Sequence, residues 1–174
     1  MKQYGRRGLV CLTLFVGLAT PPIGSAVGPG DAPFQVRVGH ARDAFWVTRA
    51  VEGAARRLEH ARCREVLSDF RGVHGRTLAE ELSAEGVSGP GHLRRLFFYS
   101  GEGQRPCRKG LLAWTTPGSR VVYVCPARFR EGHGTSPARL EAIVIHEMLH
   151  TLGLGENPPA SGEITARVEA ACNG

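Results

Sequence analysis

The sequence predicts an α+β domain, and three observations support this. Helix-forming stretches dominate the first half, short strand-like runs cluster in the middle, and a strongly specified amphipathic helix follows them. The length of 174 residues suits one domain. A hydrophobic share of 42% is too high for a disordered chain, and no apolar run reaches the roughly 18 residues of a membrane span.

Taken in order, Phe34-Gln35-Val36-Arg37-Val38 alternates like a short strand. Ala41 to about Phe70 holds no proline and one glycine. Its apolar residues Phe45, Val47, Ala50, Val51, Ala54, Leu58, Ala61 and Leu67 recur at helical spacing, which predicts one long helix. A shorter helix fits Thr77 to Glu85, closed by Gly86. Leu93 to Tyr99, Leu111 to Thr115 and Arg120 to Val124 read as strands, the last two joined at Pro117-Gly118 as a hairpin. The best-specified helix covers Pro137 to Leu152. Ser136 serves as N-cap, Pro137 fits the first turn, Glu141 sits near the positive end, and Gly153 stops it. Leu140, Ile143, Val144, Met148 and Leu152 form its core stripe, and a last helix fits Ser161 to Ala171.

Residues 1–26 read as an export signal, leaving 27–174 as the mature domain. Lys2, Arg6 and Arg7 supply the positive start, Gly8 to Ala19 the apolar run, and Gly24-Ser25-Ala26 the small residues of a cleavage site. The expected location is therefore secreted or periplasmic. Without Lys2, Arg6 and Arg7 the 22 basic residues become 19 against 16 acidic, and the net charge falls from +6 to +3. So mild and dispersed a charge argues against a nucleic-acid partner. Removing Cys11 leaves Cys63, Cys107, Cys125 and Cys172, an even count that implies two disulfides and allows three pairings. Cys107 and Cys125 flank the expected hairpin, so Cys107–Cys125 with Cys63–Cys172 is the favoured pairing.

The chemistry is concentrated in His146-Glu147-Met148-Leu149-His150, an H-E-x-x-H inside the expected helix. Histidines four apart project from one helical face and can meet one metal ion. Imidazole suits Zn2+, which takes three protein ligands and leaves a position for water. Glu147, beside the first ligand, is placed to take a proton from that water. At this composition such a motif is expected only about 0.02 times by accident. Gly153 and Glu156 extend it to H-E-x-x-H-x-x-G-x-x-E, where glycine allows a sharp turn that returns an acid to the metal.

The extended motif resembles the zincin metallopeptidases, specifically the metzincin pattern H-E-x-x-H-x-x-G-x-x-H/D. His146 to Thr165 also looks like a stretch of poorly characterised exported bacterial zincin-like proteins. The resemblance covers about 20 residues. It implies a compact zincin-like domain with a small mixed sheet, upstream helices and an active-site helix. It further implies zinc held by His146, His150 and Glu156, Glu147 as general base, and hydrolysis of a peptide or protein paired along an edge strand, with Leu111 to Thr115 the candidate. The chain departs from metzincins in its glutamate third ligand and in having no methionine after Met148. Gluzincins take a glutamate from a later helix, so Glu163 and Glu169 are the alternatives to Glu156.

A second class of function is an exported binding protein that keeps the metal but lacks turnover. A third is a disulfide-stapled structural domain without metal. Tyr99 and Tyr123 are candidate oxyanion donors. His133 in the Glu131–Gly134 loop reads as an ordinary loop residue, His40, His60, His74 and His92 as solvated, and Arg56-Arg57 and Arg94-Arg95 as solvated faces. Nothing in the sequence speaks to the oligomeric state.

Overall fold

Four short strands, β1 (Gln35–Arg37), β2 (Phe97–Ser100), β3 (Ala113–Thr115) and β4 (Val121–Val124), make one sheet in the order β1-β2-β4-β3. The structure is a computed structural model that describes residues 33–134 and 136–173. The expected export signal, residues 1–26, lies outside the described residues. β1, β2 and β4 run parallel, and β3 returns antiparallel to β4 through the expected turn, with Ala113 opposite Val124 and Thr115 opposite Val122. β3 is therefore an edge strand. Period-2 alternation sends Phe98, Val122, Val124 and Ala113 inward and leaves Phe97 and Tyr99 exposed.

Among the described residues there are eight helices: α1 (Ala41–Arg57), α2 (Ala61–Asp69), α3 (Leu78–Ala84), α4 (Gly89–Arg94), α5 (Arg105–Arg108), α6 (Pro126–His133), α7 (Pro137–Thr151) and α8 (Ser161–Cys172). Helices and a small mixed sheet thus form the α+β fold the sequence predicts. α3 begins with a full capping box, in which Thr77 and Glu80 satisfy each other's backbone N–H groups. α7 begins at Ser136 as expected, but the Ser136 side chain makes no capping bond.

Three expectations are corrected. The long helix is two helices, broken between Leu58 and His60. No local breaker occurs there; the turn lets α2 bury Cys63, Val66 and Leu67 and pack on α8. Leu93 does not open a strand but lies in α4, because Ser88 caps that helix and Pro90 fits its first turn. Glu131 to His133 is the end of α6 rather than a loop.

α7 lies at the centre of the molecule. It packs on α1, α6, α8 and β3, with Leu140, Val144, Ile145, Met148 and Leu149 almost wholly buried. α1 approaches it closely at Gly53, where a Cβ would stand 2.2 Å from Glu141 Oε1. Glu141 accepts a hydrogen bond from Arg57 in a partly buried ion pair, so Arg57 is not a solvated residue. The expected disulfides are both formed. Cys63–Cys172 joins α2 to α8, and Cys107–Cys125 joins α5 to the start of α6. Two disulfides fit an oxidising compartment. Among the described residues no helix is long and apolar enough to cross a membrane.

Candidate metal centre

The last two turns of α7 carry His146, Glu147 and His150, all buried. The helix then ends in a Schellman turn. Gly153 takes φ +97°, its N–H reaches the His150 carbonyl at 2.9 Å, and the Leu154 N–H reaches the Leu149 carbonyl at 3.2 Å. Only glycine adopts that conformation without strain. The reversal returns Glu156 to the helix face it has just left. Glu156 Oε1 lies 3.4 Å from His150 Nε2 and 3.8 Å from His146 Nε2, and the two imidazole nitrogens are 3.0 Å apart. Neither alternative acid joins the cluster. Glu163 pairs outward with Arg167 at 2.8 Å, and Glu169 lies on α8 away from the group.

The donor set fits a divalent ion. A circle through the three donor atoms has a radius of about 2.0 Å, the length of a zinc bond to imidazole or carboxylate. The imidazoles are also oriented from behind. His150 Nδ1–H donates to the Leu154 carbonyl at 2.7 Å, which leaves the Nε2 lone pair aimed at the cluster. His146 Nδ1 is held at 3.0 Å by the Thr165 hydroxyl of α8. The two Nε2 atoms are 3.0 Å apart, close enough for both to face a single ion.

Burial, with the nearness of His150 adding to it, holds the His146 imidazole down to about 4, so it is neutral and able to ligate at pH 7. Burial, then repulsion from Glu156, pushes the Glu147 carboxyl up to about 8. Glu147 Oε2 is buried without a hydrogen-bond partner among the described residues, an acceptor held in reserve.

The cluster opens into a cleft of about 440 Å3 between α7 and the β3 edge, walled by Leu112, Trp114, Ile143 and Thr165 among others. The Gly118 N–H bonds the His150 carbonyl at 2.9 Å, fixing the hairpin tip to the end of α7. Tyr99 and Tyr123 do not line this cleft; Tyr123 stacks instead on Trp114, with ring centroids 5.3 Å apart.

His92 is buried, not solvated. Its Nε2 meets the Thr151 hydroxyl at 2.9 Å and its Nδ1 meets Glu85 at 3.3 Å, bracing α4 against the end of α7. Sequence reasoning also missed Thr165 and the Leu154 carbonyl. Thr165 could have been found only by placing it on the same α8 face as the core residues Ile164 and Val168; the carbonyl leaves no mark in side-chain identity. No family model matches the chain, and comparison with curated proteins and with solved structures finds no match either.

Proposed function

We propose that the chain is an exported zinc-dependent metallopeptidase. The single observation that carries the reading is the triangle of His146, His150 and Glu156 donor atoms with the unpartnered Glu147 carboxyl beside it, both opening on one cleft. Zinc, when bound, supplies Lewis acidity toward a carbonyl oxygen and makes water more acidic. Every other role falls to the chain. His146, His150 and Glu156 hold the ion, while Thr165 and the Leu154 carbonyl fix the imidazoles. Glu147 takes a proton from the attacking water as its oxygen adds to the peptide carbonyl carbon. It returns that proton to the amine nitrogen as the C–N bond breaks. Burial and Glu156 raise the Glu147 carboxyl in the metal-free chain, and a dication held by Glu156 would offset that rise and favour the carboxylate that takes the proton. The unpaired edge of β3 can align an extended peptide across the centre.

The test is metal content and hydrolysis of an unstructured protein substrate for three variants. Glu147→Gln should retain zinc and lose at least about 100-fold in turnover. His150→Ala and Glu156→Ala should lose zinc as well. A Glu147→Gln protein as active as the parent would overturn the mechanism. Zinc-loaded protein that binds peptides without cleaving them would assign it instead to the binding class.

A further inference from the structure

The cleft does not end at the metal centre. Arg139, Ile143, His146, Glu147 and His150 follow helical spacing along one face of α7, and all five line it. At the Arg139 end a second cavity of about 250 Å3 adjoins, sharing Gly110, Leu112 and Arg139 with the first and adding Arg128. Lys109 stands on the opposite wall. One end of the cleft therefore holds two cations, Lys109 and Arg139, with Arg128 in the adjoining cavity. Among the described residues the acids lining these two cavities are Glu147 and Glu156, at the other end.

These cations are also uncommitted among the described residues. Arg57, Arg76, Arg130 and Arg167 are each neutralised by a carboxylate. Lys109, Arg128 and Arg139 make no side-chain ion pair or hydrogen bond with any described residue. A groove walled by apolar groups that carries unpaired cations at one end draws a carboxylate to that end.

The reach can be read from the helix. Eight residues separate Arg139 from Glu147, about 12 Å at 1.5 Å per residue. An extended peptide advances about 3.3 Å per residue, so Arg139 lies some three to four residues from the bond held at Glu147. Its long side chain widens that to two to four. Between them Ile143 and Leu112 offer an apolar wall.

We propose that Arg139, seconded by Lys109 and Arg128, selects peptides that carry a carboxylate two to four residues to one side of the scissile bond. This rests on the peptidase reading and names its substrate class. The carboxylate can belong to an Asp or Glu side chain or to the chain terminus.

The test uses the full-length protein with zinc and one peptide series. Glu, Gln or Lys is placed at each position flanking a common cleavable core, in free-acid and amidated forms. Glu at the matching position should raise kcat/KM about fivefold over Gln, on one side of the bond only, and the gain should shrink in high salt. Free acid outperforming amide, with internal Glu inert, would assign the carboxylate to the terminus. Arg139→Glu should reverse the ranking of Glu and Lys peptides, and Arg128→Glu should weaken the preference in the same sense.

Binding of fluorescent forms of the same peptides is measured in parallel, on the parent and on both variants. Cleavage with equal kcat/KM for Glu, Gln and Lys peptides overturns this proposal and leaves the peptidase reading standing. Absence of cleavage across the series, with Glu peptides still bound more tightly and the order reversed in Arg139→Glu, overturns the peptidase reading and supports the charge selection.

Discussion

Glu147→Gln should stabilise the metal-free protein while removing its activity. The Glu147 carboxyl is buried, and its Oε2 has no partner among the described residues. Burial, reinforced by Glu156, moves its pKa from 4.5 up to about 8. Between those values the folded state binds more protons at this site than the unfolded state, so stability attributable to Glu147 falls as pH rises. At about 1.4 kcal/mol per unit, the penalty is small at pH 5 and reaches a ceiling of about 4 kcal/mol at pH 8. Glutamine fills the same space and does not titrate. The assay is thermal unfolding of parent and variant in chelator at pH 5, 6, 7 and 8. The variant's advantage in Tm should grow with pH, to about 10 °C at pH 8 if the ceiling is reached and to a third of that if side-chain motion relieves part of it. A Tm difference that does not change with pH would refute the reasoning, because it would mean that the carboxyl ionises as freely folded as unfolded.

Two further outcomes follow from the framework around the centre. The Cys63–Cys172 bridge closes 109 residues and the Cys107–Cys125 bridge 18. In the chain-entropy account, replacing the first pair by serine should therefore cost about 5 kcal/mol and the second about 3, an order that denaturant midpoints with matched slopes will check. Gly153→Ala places a side chain at φ +97° and should lose about 1–2 kcal/mol of stability. Because the same turn returns Glu156 to the histidines, zinc affinity measured by competition with a chelating dye should fall with it.

The readable parts of this molecule are those whose determinants lie close together in the chain. His146, Glu147, His150, Gly153 and Glu156 span eleven consecutive positions. Helical period and one glycine turn bring the donor atoms together there with little help from the rest of the fold. The hairpin at Pro117-Gly118 is legible for the same reason. The break at Leu58 was not. Its neighbours are good helix formers, and only the gain from packing α2 on α8 around Cys63 and Cys172 makes two helices better than one. Leu93 reads as a strand start because the end of a short helix capped by Ser88 runs directly into the apolar Leu96-Phe97-Phe98-Tyr99 stretch. His92 is buried only through its contacts with Thr151, far along the chain, and with Glu85, on the preceding helix end.

The same distinction separates reactivity from selectivity in the proposed enzyme. The groups that would act on a peptide bond all come from the end of α7 and the turn after it, so a short motif suffices to suggest them. The groups that would choose the peptide come from places far apart in the chain: Lys109 after α5, Trp114 on β3, Arg128 on α6 and Arg139 at the start of α7. Each is ordinary in its own local sequence, and each acquires its role only when the sheet edge, α6 and α8 close around α7. Substitutions along those walls can therefore redirect the substrate without touching the H-E-x-x-H run. Chains sharing that run need share no substrate, because the motif would determine where an ion sits while the surrounding packing would determine what reaches it.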